Sequence, residues 1–203
     1  MNKAIFYDTE TTGLPLFKEP SEHPDQPHIV QIAAVLVDLD TRKEISSMNV
    51  IVRPDGWDIP SEVTAVHGIT TEFAREVGVP ESIAVGMFME LWNHNLRIAH
   101  NETFDARILR IALMRHEDQA TADDWKAGQT QCTAQLSPPI LKLPPTEKMK
   151  AVGRNHHKTA NLGDAYRHFT GKEIENAHSA LADVKACMDV FFAIQDMETK
   201  AAA

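Results

Sequence analysis

The stretch AIFYDTETTG, residues 4–13, decides the fold because it reads as one strand that ends in carboxylates. Ala4–Thr9 is rich in β-forming residues and alternates in character, which is typical of a strand. Side chains two residues apart on a strand share a face, so Asp8 and Glu10 lie on the buried face of Phe6. Carboxylates there are costly unless they are paired or bind a metal. Taken alone, the pattern also fits two surface carboxylates at a frayed strand end.

The segments around this strand predict an α/β domain. Ile29–Asp38 is almost continuously apolar, as expected for a buried strand, and Met48–Arg53 predicts a third strand that pairs back as a hairpin. Further elements then alternate: helices at 61–67, 71–77, 80–94, 102–116, 120–127, 162–169 and 179–199, and strands at 96–99 and 130–133. This order predicts one domain over residues 1–203, with a central mixed sheet of about five strands flanked by helices.

The composition is that of an ordinary globular protein, with 43% apolar and 24% charged residues. The N-terminus lacks the apolar stretch and cleavage site of a signal peptide. The longest apolar run, Ile32–Val37, is far too short to span a bilayer. Cys132 and Cys187 lack metal-ligand spacing and are expected to be free thiols. We therefore predict a cytoplasmic protein with no membrane partner.

Charge is distributed unevenly, which bears on nucleic-acid binding. The net charge of −9 opposes binding to a polyanion. Residues 138–158, here called the basic segment, are bracketed by proline pairs, which predict a loop. Its charged residues are Lys142, Glu147, Lys148, Lys150, Arg154 and Lys158. The segment carries +4, so the remainder carries −13. It is either a surface that holds a nucleic-acid strand or a mobile, solvated loop.

Three further polar residues occupy helix starts. Asp105 falls beside the apolar face of the predicted helix 102–116, where it also simply complements the helix dipole. If Ser179 caps the last helix, His178 and Asp183 occupy the positions that meet in a hydrophobic staple. An imidazole would then lie beside a carboxylate. The alternative is a capped helix start with an incidental histidine.

Three motifs together resemble one family. DTETTG at 8–13, HNETFD at 100–105 and HSALAD at 178–183 resemble the exonuclease motifs of the DnaQ-like superfamily. The histidine five residues before the last aspartate is similar to the DEDDh branch, which includes proofreading subunits, oligoribonucleases and RNase T. VHGIT at 66–70 also resembles a family segment near the substrate. The resemblance covers residues 4–195 and implies a ribonuclease H-like fold. One departure is Gln31, where relatives often carry Glu.

The resemblance implies a 3′–5′ exonuclease that releases nucleoside monophosphates from single-stranded nucleic acid, and DNA is the expected substrate. Two divalent cations, Mg²⁺ or Mn²⁺, are expected, and hard cations take oxygen ligands. Four carboxylates would hold them: Asp8, Glu10, Asp105 and Asp183. His178 would be the general base, because histidine titrates near neutral pH. Six residues would contact the substrate: Thr9, Thr11, Leu14, His67, Asn101 and Phe104.

Alternatives to this function remain open from the sequence. An RNA-trimming exoribonuclease of the same family is weakly favoured by the negative charge. A non-catalytic nucleic-acid-binding module is disfavoured by the complete acidic set. The sequence leaves a replication polymerase as partner open. Phe104 is explained equally well as a core residue.

Overall fold

A five-stranded mixed sheet forms the centre of the computed structural model, which describes residues 2–202. The strands are β1 (Lys3–Thr11), β2 (Ile29–Asp38), β3 (Lys43–Ile51), β4 (Leu96–Ala99) and β5 (Thr130–Cys132). Their order across the sheet is β3-β2-β1-β4-β5. β1, β2 and β3 pair antiparallel, whereas β4 and β5 run parallel to β1. The predicted fold class is therefore confirmed.

Helices cover both faces of this sheet. In chain order they are α1 (Ser61–His67), α2 (Thr71–Val77), α3 (Glu81–Trp92), α4 (Glu102–His116), α5 (Gln119–Ala127), α6 (Thr133–Leu136), α7 (Pro138–Leu141), α8 (Glu147–Ala151), α9 (Leu162–Thr170) and α10 (Ala180–Ala202). Tyr7 packs against Phe88 and Trp125 on one face, and Phe6 packs against Phe191 of α10 on the other. Both faces of β1 are thus buried, although the sequence predicted only one. Within residues 2–202, no helix is long and apolar enough to cross a membrane.

β1 is longer than predicted and includes both carboxylates. Glu10 pairs in register with Gln31, and a bulge follows between Glu10 and Thr11. The sequence analysis gave the strand as Ala4–Thr9. Pairing with the fully buried β2 extends the strand, and a bulge of this kind bends and twists the strand locally.

β3 forms the predicted hairpin with β2, but its start was predicted five residues too late, at Met48. It spans Lys43–Ile51 and begins directly after the turn, with Asp38 paired to Lys43. It lies at the edge of the sheet, and most of its side chains are exposed. An exposed edge strand needs no apolar alternation, so its polar first half gave no strand signal.

The basic segment contains two short helices instead of a continuous loop. Pro138 is the first residue of α7, a position where the missing N–H of proline costs nothing. Thr146 caps α8, because its Oγ1 accepts a hydrogen bond of 3.2 Å from the Met149 N–H. Pro138 therefore begins a helix here, whereas the sequence analysis took the proline pairs only as the brackets of a loop.

Candidate active site

The sheet topology brings the acidic residues to one edge. β1, β4 and β5 are parallel, so their carboxyl ends lie at the same edge of the sheet. β1 carries Asp8 and Glu10 to this edge, the first turn of α4 carries Asp105, and the first turn of α10 carries Asp183. We call these four residues the carboxylate cluster.

The carboxylates lie close enough to perturb one another. Burial raises the pKa of Asp8 well above its usual value, and the charges of Asp105, Asp183 and Glu10 raise it further. Burial, Asp183 and Asp105 together raise the pKa of Glu10 to about 7. Because like charges repel here and desolvation adds to the cost, a bound cation would stabilise the ionised cluster.

His178 joins this cluster from the loop before α10. One ligand atom from each of Glu10, His178 and Asp183 lies within 4.8 Å of the others. His178 has a left-handed backbone (φ 66°), and its N–H donates a 3.2 Å hydrogen bond to Oδ2 of Asp183. The side chain is exposed, so solvent and ligand can reach it. The predicted meeting of this imidazole with the Asp183 carboxylate is observed.

Asp105 is held by a single residue of β1. The Thr9 backbone N–H and the Thr9 Oγ1 both donate to Asp105 Oδ1, at 3.0 Å and 2.7 Å. Thr9 and Asp105 are only 5% and 2% exposed. Neither bond uses Oδ2, so the carboxylate is oriented with one oxygen left for another partner. The Thr9 hydroxyl is thus occupied by a carboxylate, although the sequence resemblance placed this residue against substrate.

The other expected substrate residues differ in accessibility. Leu14 is 74% exposed, and Asn101 is exposed with a left-handed backbone (φ 68°) and no side-chain cap bond. Phe104 is half-buried and packs against the core. The Thr11 hydroxyl donates to the Gly13 carbonyl at 2.8 Å and so shapes the turn after β1. Leu14 and Asn101 are therefore the most available of this group.

His67 has a defined tautomer. Its Nδ1 accepts a 3.0 Å hydrogen bond from the Ile69 N–H, which places the proton of a neutral ring on Nε2. Burial lowers the pKa of His67 and favours the neutral ring. The Nε2 is buried and has no hydrogen-bond partner among residues 2–202. The His67 ring would therefore have to rotate before its Nε2–H could donate to a ligand.

Sequence reasoning missed the role of Gln31. Its side chain is buried, its Oε1 accepts from the Ala180 N–H at 3.1 Å, and its Nε2 donates to Asn49 Oδ1 at 2.8 Å. Gln31 thus joins the strand opposite Glu10 to the first residue of α10, the helix that carries Asp183. A lone amide within the apolar run of β2 was the available signal.

A second unpredicted network fixes the start of α4. Glu102 is buried, accepts a 3.0 Å hydrogen bond from the Tyr7 hydroxyl, and lies 3.6 Å from the Arg97 guanidinium. Arg97 in turn stacks on Trp125, 3.7 Å from the ring centroid, and donates to the Trp125 carbonyl at 2.7 Å. The sequence analysis assigned Glu102 no role beyond its place in the motif HNETFD. An arginine inside a four-residue strand was the clue to a buried partner.

Comparison with known families identifies the domain. Residues 5–191 match the RNase T family model, which is described as an exonuclease. The chain belongs to this family. The resemblance to the DnaQ-like exonuclease superfamily is thereby confirmed.

Two curated relatives are named after a polymerase subunit. A DNA polymerase III subunit epsilon-like protein of Rhodobacter capsulatus is 37% identical over 107 residues, which cover 52% of this chain and 14% of that protein. A DNA polymerase III subunit epsilon of Rickettsia conorii is 31% identical over 121 residues, covering 57% of this chain and 47% of that protein. The matched regions thus span less than half of either relative.

Solved structures of E. coli exonuclease I share the fold. Its zinc-bound complex with single-stranded DNA aligns with a TM-score of 0.72 at 19% identity, covering 98% of this chain and 42% of that one. A complex with a 5cy-dT13 oligonucleotide aligns with a TM-score of 0.73 at 18% identity, covering 98% of this chain and 42% of that one. This chain therefore has the fold of a domain that is less than half of exonuclease I.

The donor set fits a hard divalent cation. It consists of carboxylate oxygens with one imidazole at the rim, and oxygen-rich sets of this kind suit Mg²⁺ and Mn²⁺. The raised pKa of Asp8 comes from burial and from the charges of its three acidic neighbours. A bound cation would therefore stabilise the ionised carboxylates, which repel one another without it.

Proposed function

We propose that this domain is a 3′–5′ exonuclease. It would hydrolyse the last phosphodiester bond of a single-stranded nucleic acid and release a nucleoside monophosphate. The observation that carries the proposal is the approach of Glu10, His178 and Asp183 to within 4.8 Å, beside Asp8 and Asp105. Membership of an exonuclease family supports it.

The carboxylate cluster would hold two divalent cations, Mg²⁺ or Mn²⁺. Bound cations of this kind stabilise the charge that develops on the attacking and leaving oxygens of phosphodiester hydrolysis. Asp8 lies close enough to Asp105, Asp183 and Glu10 to feel their charges, so it would act as a ligand together with them. Asp105 enters with Oδ1 fixed by Thr9, which leaves Oδ2 as its ligand atom.

His178 is the proposed general base. Its exposed imidazole lies beside two carboxylates, Glu10 and Asp183, which would stabilise the imidazolium once it has accepted the proton of the attacking water. The bond from its own N–H to Asp183 fixes the loop that carries the ring. Histidine is suited to this step because it exchanges protons near neutral pH.

Leu14, Asn101, His67 and Phe104 are proposed to contact the terminal nucleotide, with the turn shaped by Thr11 beneath it. Leu14 supports this most directly because so exposed an apolar side chain can pack on a base. DNA is favoured as substrate because relatives carry the name of a DNA polymerase subunit and a structural neighbour is bound to single-stranded DNA. RNA remains the alternative, favoured by the net charge of −9. The names of the relatives also suggest a polymerase partner.

A direction-sensitive assay tests the proposal. The purified protein is incubated with Mn²⁺ and 5′-labelled single strands of DNA and RNA of matched sequence, with Asp8→Asn as the inactive control. We expect a ladder that shortens by one nucleotide from the 3′ end. Early release of the 5′ label, internal cleavage, or equal activity of Asp8→Asn would contradict the proposal. Binding without release of mononucleotides would favour a non-catalytic binding module.

A further inference from the structure

The basic segment leaves the sheet at the edge that carries the carboxylate cluster. It follows β5, which lies parallel to β4 and therefore ends at the same edge. The chain then returns through α9 to the loop that holds His178. In chain order the segment thus lies between β5 and the loop that holds His178.

Tertiary contacts fix the segment at both ends. The Lys158 N–H donates to the Leu143 carbonyl at 3.0 Å, which closes residues 143–158 into a loop. Just beyond it, the Ala160 carbonyl accepts a 3.1 Å hydrogen bond from His100 Nε2. His100 stands directly before the turn into α4, so this bond joins the segment to the element that carries Asp105. Ile140 and Leu143 also pack against a core cluster that includes Val190 of α10.

Two of the five cations in the segment have acidic partners. Lys150 lies 2.8 Å from Glu147, and Lys158 lies 3.7 Å from Asp164. Lys142, Lys148 and Arg154 are exposed and have no ion-pair partner within residues 2–202. The basic segment therefore presents three exposed cations that no acidic side chain of residues 2–202 neutralises.

We propose that Lys142, Lys148 and Arg154 bind the phosphates of the single strand that lies 5′ of the terminal nucleotide. This inference rests on the proposed function, since the strand must emerge from the carboxylate cluster. The rest of the protein carries −13 and repels a polyanion, so the +4 of the basic segment marks the path of lowest repulsion. Attachment to His100 keeps that path continuous with the site.

The test is the salt dependence of binding. We replace Lys142, Lys148 and Arg154 with Gln, and compare a control in which three remote exposed lysines, Lys43, Lys126 and Lys200, become Gln. Affinity for a labelled 15-nucleotide single strand is measured in EDTA between 50 and 200 mM salt, so that no hydrolysis is needed. Thermal melts confirm that both variants fold.

Each phosphate contact contributes roughly 0.7 to the slope of log affinity against log salt for single strands. Loss of three contacts should lower the slope by about 2, which corresponds to about 16-fold in affinity over this fourfold salt range. The control should keep the wild-type slope, and turnover of a dinucleotide should be unchanged in both variants. A wild-type slope in the first variant, or an equal loss in the control, would overturn the inference. A wild type that binds with the expected slope but never cleaves would refute the proposed function and leave this binding surface in place.

Discussion

Thr9→Val removes one hydroxyl from beneath a proposed metal ligand and changes little else. Valine has nearly the shape of threonine, and the backbone N–H of residue 9 would still donate to Asp105. The lost bond is the 2.7 Å contact from Oγ1 to Oδ1. Because Thr9 is buried, the variant changes the orientation of Asp105 and leaves the solvent-exposed surface unchanged.

The expected magnitude follows from the character of this bond. A hydrogen bond to a charged acceptor contributes about 1.5–3 kcal/mol, and 2 kcal/mol corresponds to about 30-fold in an equilibrium constant. Loss of a group that orients a metal ligand typically lowers metal affinity by about 10–100-fold. We therefore expect the half-saturating Mn²⁺ concentration to rise by at least about 10-fold, with a smaller fall in kcat at saturating Mn²⁺.

The assay is exonuclease rate against Mn²⁺ concentration, supported by calorimetric titration of the metal. Thr9→Ser keeps the hydroxyl and should behave like the wild type. Thr11→Val is the matched control, because the Thr11 hydroxyl donates to a carbonyl and not to a carboxylate. An unchanged Mn²⁺ dependence together with a raised KM for the oligonucleotide would refute this reasoning and return Thr9 to a substrate contact.

Two further predictions concern Glu81 and Gln31, whose side chains link β2 to helices. Burial alone would raise the pKa of Glu81, but hydrogen bonds from His116 and His28 and the charge of Arg115 hold it well below its usual range. Glu81 therefore stabilises the fold above its unfolded pKa of about 4.3, and this contribution is lost as pH falls toward the folded value. Glu81→Gln should cost about 3 kcal/mol at pH 7 and make the melting temperature fall less steeply than in the wild type from pH 5 to pH 3; parallel melting curves would contradict this. Gln31→Leu leaves the Ala180 N–H unpaired and should lower kcat with little change in KM, whereas Gln31→Glu keeps the acceptor and should restore much of it. A purely structural role would lower stability in Gln31→Leu without this split between kcat and KM.

Elements with a strong apolar pattern were predicted from the sequence with accurate bounds. The bounds of β2, β4 and α4 match because burial on one or two sides determines their composition. The start of β3 was misplaced because an edge strand is held by backbone pairing, which leaves little trace in its side chains. α7 and α8 were missed because each is shorter than two turns and is defined by local caps.

For the candidate site, likewise, the charged residues were predicted from the sequence, but the contacts that orient them were not. Asp8, Glu10, Asp105, His178 and Asp183 were proposed from motif order, and the structure brings them to one edge of the sheet. The contacts that orient them were not predictable. Thr9 meets Asp105 across 96 residues, and Gln31 meets Ala180 across 149 residues. Hydrogen bonds of this range depend on the assembled fold and leave no periodic pattern in the chain.

The central claim is that the four residues of the carboxylate cluster bind divalent metal together, and a thermal melt of metal-stripped protein tests it most directly. At a Mn²⁺ concentration 100 times the dissociation constant, binding to the native state contributes about 2.7 kcal/mol. For a chain of this size, that corresponds to a rise of about 5–10 °C in melting temperature. Asp8→Asn should melt higher than the wild type without metal, because repulsion is relieved, and should lose the response to Mn²⁺. The account would be contradicted if millimolar Mn²⁺ left the melting temperature of the wild type unchanged and metal-free Asp8→Asn melted no higher than the wild type.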